Sequence, residues 1–283
     1  MRESSLRNVD TNVTDGFGHE WSTFTQGPSE LGEDERQQIF NQYFRLFPWD
    51  LLPSAAEGLD AGCGTGRWAV QVAPRVAHLH LLDASPVALA VAKQNLAGTG
   101  NVTFHLASVS EIPLPDDSLD FAYSLGVLHH VPDTFGAIKH IAAKLKAGSP
   151  FLIYLYYALD NRPFWFQAVW RVTDVARLLI SRFPYRLKLA TSQVIAAMVY
   201  WPIARFCRLL KTFGISSRSI PLEFYKDRSF YMMRTDAYDR FCTSLEKRFT
   251  RTEIDGLLSE AGFDHITFSD SMPFWCVVAR KTK

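Results

Sequence analysis

Three glycines fall within five positions of the segment Asp60-Ala61-Gly62-Cys63-Gly64-Thr65-Gly66. It follows the strand-like Ala55–Leu59 and precedes a helical run at Trp68–Ala73, so it reads as the turn from a first strand into a first helix. Each absent Cβ removes a barrier to close approach, so such a loop suits a flat, bulky partner such as a nucleoside cofactor. The spacing restricts which one. A dinucleotide fingerprint would need a third glycine where Arg67 stands. The G-x-x-x-x-G-K-[ST] string of a phosphate-cradling loop does not occur.

The remaining pattern, D-x-G-x-G-x-G, resembles motif I of the class I S-adenosylmethionine-dependent methyltransferases, in which the loop packs on the methionine part of the cofactor. Further segments match in order. Asp83 follows a strand-like His78–Leu82, at the distance where an acid accepts from both ribose hydroxyls. Val102–Ala107 reads as a third strand leading to Ser108, which stands where the family usually has an acid facing the adenine amino group. Leu119–Ser124 reads as a fourth strand, and the following Leu125-Gly126-Val127-Leu128-His129-His130-Val131-Pro132-Asp133 is again similar to the family. A helix stopping at Gly148 then leads into a fifth strand, Pro150–Tyr156.

The resemblance covers roughly residues 50–160 and 247–283. It implies a Rossmann-like α/β/α sandwich of seven strands in the order 3-2-1-4-5-7-6, with a helical insertion after strand five. It also implies S-adenosylmethionine as cofactor, S-adenosylhomocysteine as product, and cofactor contacts from Asp60, Gly62, Cys63, Gly64, Gly66, Asp83, Ala84, Ser108, Val109 and Leu125. Ligands of such sheets bind at the carboxyl ends of the strands. Asp60, Asp83, Ser108, His129 and Tyr156 should therefore converge on one rim.

Those residues need a scaffold, and 283 residues can bury a large core as one elaborated domain. The reading divides the chain into an N-terminal cap (1–49), a cofactor-binding core (50–160), a helical lid or insertion (161–246) and the end of the core sheet (247–283). Phe40, Tyr43, Phe44, Phe47 and Trp49, at near-helical spacing, read as core packing. Thr250 and Glu253 have capping-box spacing. Cys63, Cys207, Cys242 and Cys276 are scattered without a C-x-x-C pair, so neither a disulfide framework nor a metal site is expected. Polar Met1–Arg7 opens no signal-peptide pattern, and a cytoplasmic location is the expectation.

The net charge of +1 conceals an asymmetry: residues 161–215 carry nine basic side chains and one acid, Asp174. The same segment is rich in aromatic residues. Helices are expected over Phe164–Arg182 and Leu187–Phe213, the second bent at Pro202. The uncharged stretch Leu189–Ala204 is shorter than the roughly 20 residues of a membrane span. Three readings stay open: a hydrophobic lid over a lipophilic acceptor, a structural or homodimer cover, and peripheral contact with a membrane through 161–215.

For chemistry, His129 and His130 are the base candidates, since imidazole has the best-placed ordinary pKa, and Tyr156 is a third catalytic candidate. Substrate contacts are expected from Trp21, Phe24, Tyr157, Tyr225, Arg228 and Tyr231. Nucleic acid is not expected as a partner. Methyltransferases acting on exocyclic base amines carry an Asn/Asp-Pro-Pro-aromatic tetrad after strand four, where this chain has Ser124-Leu125-Gly126-Val127. The leading reading is methyl transfer to oxygen or carbon of a small, lipophilic or natural-product-like acceptor. Alternatives are a macromolecular (RNA or protein) methyltransferase, a membrane-associated lipid or quinone methyltransferase, and a cofactor-binding partner without turnover.

Overall fold

A computed structural model describes residues 6–27, 30–217 and 219–282. The polar start Met1–Ser5 lies outside the described residues. The chain forms two compact units: residues 1–25, 37–160 and 245–283 make the first, and residues 26–36 and 161–244 the second. The N-terminal 49 residues are thus shared between the two.

In the first unit a seven-stranded sheet has the order β3-β2-β1-β4-β5-β7-β6, as the sequence predicts. Its strands are β1 (Glu57–Ala61), β2 (His78–Asp83), β3 (Val102–Leu106), β4 (Phe121–Leu125), β5 (Pro150–Tyr154), β6 (Phe263–Phe268) and β7 (Cys276–Lys281). The first five are parallel, and β7 runs antiparallel to both β5 and β6. Central β4 is buried at every position, as expected of a strand covered on both faces.

The helices of this unit are α1 (Thr11–Thr23), α2 (Glu33–Tyr43, which begins in residues grouped with the second unit), α3 (Ala69–Val72), α4 (Pro86–Asn95) and α5 (Thr134–Lys144). Side-chain caps mark their starts. Asp10 accepts from the Asn12 and Val13 amides, Ser85 from Ala88 and Asp133 from Gly136.

The second unit holds α6 (Phe164–Ile180), α7 (Tyr185–Ile195), α8 (Trp201–Thr212) and α9 (Phe230–Cys242). A final helix of the first unit, α10 (Arg251–Glu260), opens on the expected Thr250–Glu253 capping box. Just before Pro202, where the sequence predicts a bend, a π-helical turn, Ala196–Tyr200, joins α7 to α8. Proline has no N–H for the carbonyl four residues back, and its ring crowds that carbonyl, which favours the wider turn. No described helix is long and apolar enough to cross a membrane.

Aromatic residues fill the sheet face under α2. Phe40, Phe44 and Phe47 are buried, with Phe40 stacked on Phe44 at 4.3 Å and Phe47 edge-on to Phe121 at 5.7 Å. Room for this cluster depends on Gly58, because a methyl group built there would overlap the ring of Phe121 on the neighbouring strand. Gly58→Ala is expected to cost about 1–3 kcal/mol by overpacking. Urea denaturation should show a lower midpoint at unchanged slope.

Candidate functional site

The loop between β1 and α3 is fixed by the end of β2. The amides of Gly62 and Cys63 both donate to the Leu82 carbonyl, at 2.7 and 3.0 Å. The Asp83 carboxylate accepts from the Gly64 amide at 2.9 Å through Oδ2 and from the Ser85 amide at 2.8 Å through Oδ1. Asp83 therefore holds the glycine loop and the start of α4 together, and each oxygen retains a further lone pair.

The loop glycines also face neighbouring side chains. Their missing side chains make room for protein. A Cβ on Gly62 would overlap Val127, one on Gly66 would lie 3.0 Å from Leu96 Cδ1, and one on Gly64 would lie 3.3 Å from Trp21 Nε1. Gly62 and Gly66 also have φ of +86° and +74°, where other residues are strained.

Behind the loop, Tyr123 donates to Asp60 Oδ2 at 2.9 Å, while Asp60 Oδ1 is buried without a hydrogen-bond partner. Burial, reinforced by the charge of Asp83, pushes the Asp60 carboxyl up to about 8 against the Tyr123 hydrogen bond. Burial raises Asp83 as well. Two carboxyls beside a helix start, one with an unsatisfied oxygen, fit a cationic group such as the methionine end of a sulfonium cofactor. Asp60, Asp83 and the 62–66 loop are the residues that would hold it. Burial also pushes the Cys63 thiol well up, which leaves Cys63 a packing residue rather than a nucleophile.

The predicted rim is assembled. Asp60 and Asp83 end parallel strands, and Ser108, His129 and Tyr156 lie just beyond the same ends of β3, β4 and β5. Ser108 is already engaged, however: buried, it donates to the Arg7 carbonyl at 2.5 Å and accepts from the Ser110 amide at 3.1 Å. Val109, next to it in the chain, and Leu125, at the end of β4, are buried, and Ala84 is half-buried.

Both histidines are buried in the turn after β4. The His130 ring meets the Leu245 carbonyl at 2.6 Å through Nδ1, which must carry the proton because a carbonyl only accepts. His129 has neither ring nitrogen hydrogen-bonded. Burial, with His130 and Arg248 nearby, holds it well below the ordinary imidazole range, so it is neutral. It stacks on Tyr156 at 3.8 Å, and Arg248 lies over the other side of this cluster, 5.3 Å from the Tyr156 ring centre.

Phe17 completes the arrangement. It stacks near Trp21 at 6.0 Å and meets His130 edge-on at 5.0 Å. The rings Trp21, Phe17, His130, His129 and Tyr156 form one continuous aromatic row from Gly64 to the end of β5. Sequence reasoning missed Phe17 and Arg248. The signal for Phe17 was its position four residues before Trp21, on the same helix face; Arg248 left none.

Phe24 is sealed in the core, and Tyr157 packs against Phe274 and Trp275. Tyr225 donates to Asp236 at 2.7 Å, Tyr231 donates to Glu30 at 2.8 Å, and buried Arg228 lies over Phe224, all within the second unit. Their aromatic and polar types serve that unit's own packing.

Known proteins share the fold. Residues 59–153 match the family described as a methyltransferase domain. An uncharacterized methyltransferase of Bacillus subtilis is 32% identical over 105 residues, 36% of this chain and 42% of that protein. An O-methyltransferase of Aspergillus sclerotiorum is 33% identical over 99 residues, 32% of this chain and 36% of that protein. The chain thus spans less than half the length of the curated relatives it matches. A crystal structure of a proposed methyltransferase from Bacillus halodurans superposes with a TM-score of 0.51 at 15% identity, covering 81% of this chain and 70% of that one, a likeness of fold. The domain match, which begins at the glycine loop, and the strand order support a class I S-adenosylmethionine-dependent methyltransferase.

Proposed function

We propose that the protein transfers a methyl group from S-adenosylmethionine to oxygen or carbon of a small, lipophilic acceptor. The aromatic row from Trp21 to Tyr156 carries this reading, because it offers an apolar wall directly beside the glycine loop. The likeness to the A. sclerotiorum O-methyltransferase favours oxygen.

S-adenosylmethionine, when bound, supplies an electrophilic methyl on a charged sulfur that leaves as a neutral thioether. What the chain must add is alignment, exclusion of water and, for a hydroxyl or carbon acid, removal of a proton. Trp21 and Phe17 exclude water along the loop. Neutral His129 is in the protonation state a base requires, and the Leu245 carbonyl fixes the orientation of neighbouring His130.

Incubating the protein with methyl-labelled donor and cell extract should yield a labelled small, extractable product. Label confined to RNA or protein would overturn the acceptor class. Gly64→Leu, at φ +53° and against Trp21, introduces about 1–3 kcal/mol of backbone strain; donor binding by calorimetry should weaken by roughly 5- to 150-fold on that scale.

Histidine129→Ala is expected to lower kcat by about 10²–10⁴-fold with unchanged donor affinity. Equal rates would remove the base role.

Asp60 makes two pH predictions. Its folded pKa of about 8 lies above its ordinary 3.8, so its contribution to stability is fully present below pH 3.8 and lost as pH rises to about 8. Asp60→Asn should flatten that loss. A cationic donor favours the carboxylate, so binding near neutral pH should release a proton. Heats measured in phosphate and in Tris should differ for the wild type and coincide for Asp60→Asn; coincident heats in the wild type would refute the assignment.

A further inference from the structure

Helix α6 is built inside out. One ion pair points inward: Arg177, only 5% exposed, donates to Asp174 at 2.7 Å through Nε and to the Thr243 carbonyl at 3.0 Å through Nη1. Arg240 approaches the same carboxylate at 3.7 Å. The opposite face is apolar and open to solvent, with Val172 72%, Val175 59% and Leu179 57% exposed at i, i+3, i+7 spacing. The π turn and α8 continue the pattern: Met198 is 73% and Phe213 72% exposed, with Phe206 and Leu209 also exposed. Large apolar side chains left exposed in such number along one folded segment mark an interaction site.

Charge identifies the occupant. Residues 161–215 carry a net +8, and their one acid, Asp174, is taken up by Arg177 and Arg240. Exposed Arg171, Arg182, Arg186 and Arg208 are interleaved with the apolar positions. A second copy of the chain would set this positive field against an identical one. A polyanion alone would leave the valines and leucines in water. An anionic lipid surface satisfies both, since acyl chains take the apolar side chains and headgroups take the arginines. Trp165 and Trp201 are both exposed on this segment, and tryptophan suits the level between headgroup and chain. Helix α6 has 17 residues, and no described helix is fit to span, so the contact is in-plane.

We infer that the outer face of α6 to α8 docks the protein peripherally on a membrane bearing anionic lipids. This stands independently of the transfer reaction.

The test is co-sedimentation of the full chain, without donor or acceptor, with vesicles of phosphatidylcholine alone or of phosphatidylcholine with one-third phosphatidylglycerol. Pelleting with the anionic vesicles, weakened by high salt, is expected. Arg171→Ala and Arg208→Ala should each lower the apparent affinity about fivefold. The double change Val172→Gln/Leu179→Gln should lower it at least about tenfold. Because these side chains are exposed, circular dichroism and Tm should match the wild type. Absence of pelleting with anionic vesicles overturns the proposal. So does insensitivity to the Val172/Leu179 change, which would mean diffuse attraction without insertion. Light scattering that shows a lipid-independent dimer, split by the same double change, assigns the face to a second copy and likewise overturns it.

Discussion

The candidate site depends on the attachment of one loop to the end of the neighbouring strand. The Leu82 carbonyl and the Asp83 carboxylate take three amides of the β1–α3 loop, and Asp83 also takes the amide that begins α4. A loop with three left-handed glycines would otherwise have many conformations to lose on folding. Anchoring it to a parallel strand fixes the main chain at the rim and places two carboxyls, Asp60 and Asp83, in a buried setting. Their shared environment lifts both above the ordinary carboxylate range and leaves Asp60 Oδ1 unsatisfied. Electrostatic character at this site is thus a by-product of the same hydrogen bonds that give it shape.

The core was legible because its signals are local. The glycine spacing, the apolar strands and the Thr250–Glu253 box each specify a conformation within a few residues, and the sheet order followed from the resemblance those residues carry. Side-chain partners were less legible because they are set by distant segments. Ser108 is engaged by Arg7 across about a hundred residues of chain, and Trp21 rests on Gly64. Glycine type alone reports that a Cβ has no room; it does not report whether protein or ligand occupies the space.

The aromatic and charged residues of the second unit illustrate the same ambiguity in reverse. Tyr225, Arg228 and Tyr231 have the types of substrate contacts and are used in packing. The valines of α6 have the type of core residues and are exposed, because Arg177 and Asp174 occupy the inner side, where two backbone carbonyls accept from the arginine's Nη1. Residue type alone could not say which way the apolar stripe turned.

The π turn at Ala196–Tyr200 has a further effect on that surface. An α-helix advances about 100° per residue, so a turn that accommodates one residue more rotates everything after it by roughly that angle. The direction in which Trp201, Phe206 and Leu209 project is therefore governed by how many residues lie between α7 and Pro202, more than by which residues they are. Insertion or loss of a single residue there would re-aim an otherwise unaltered helix.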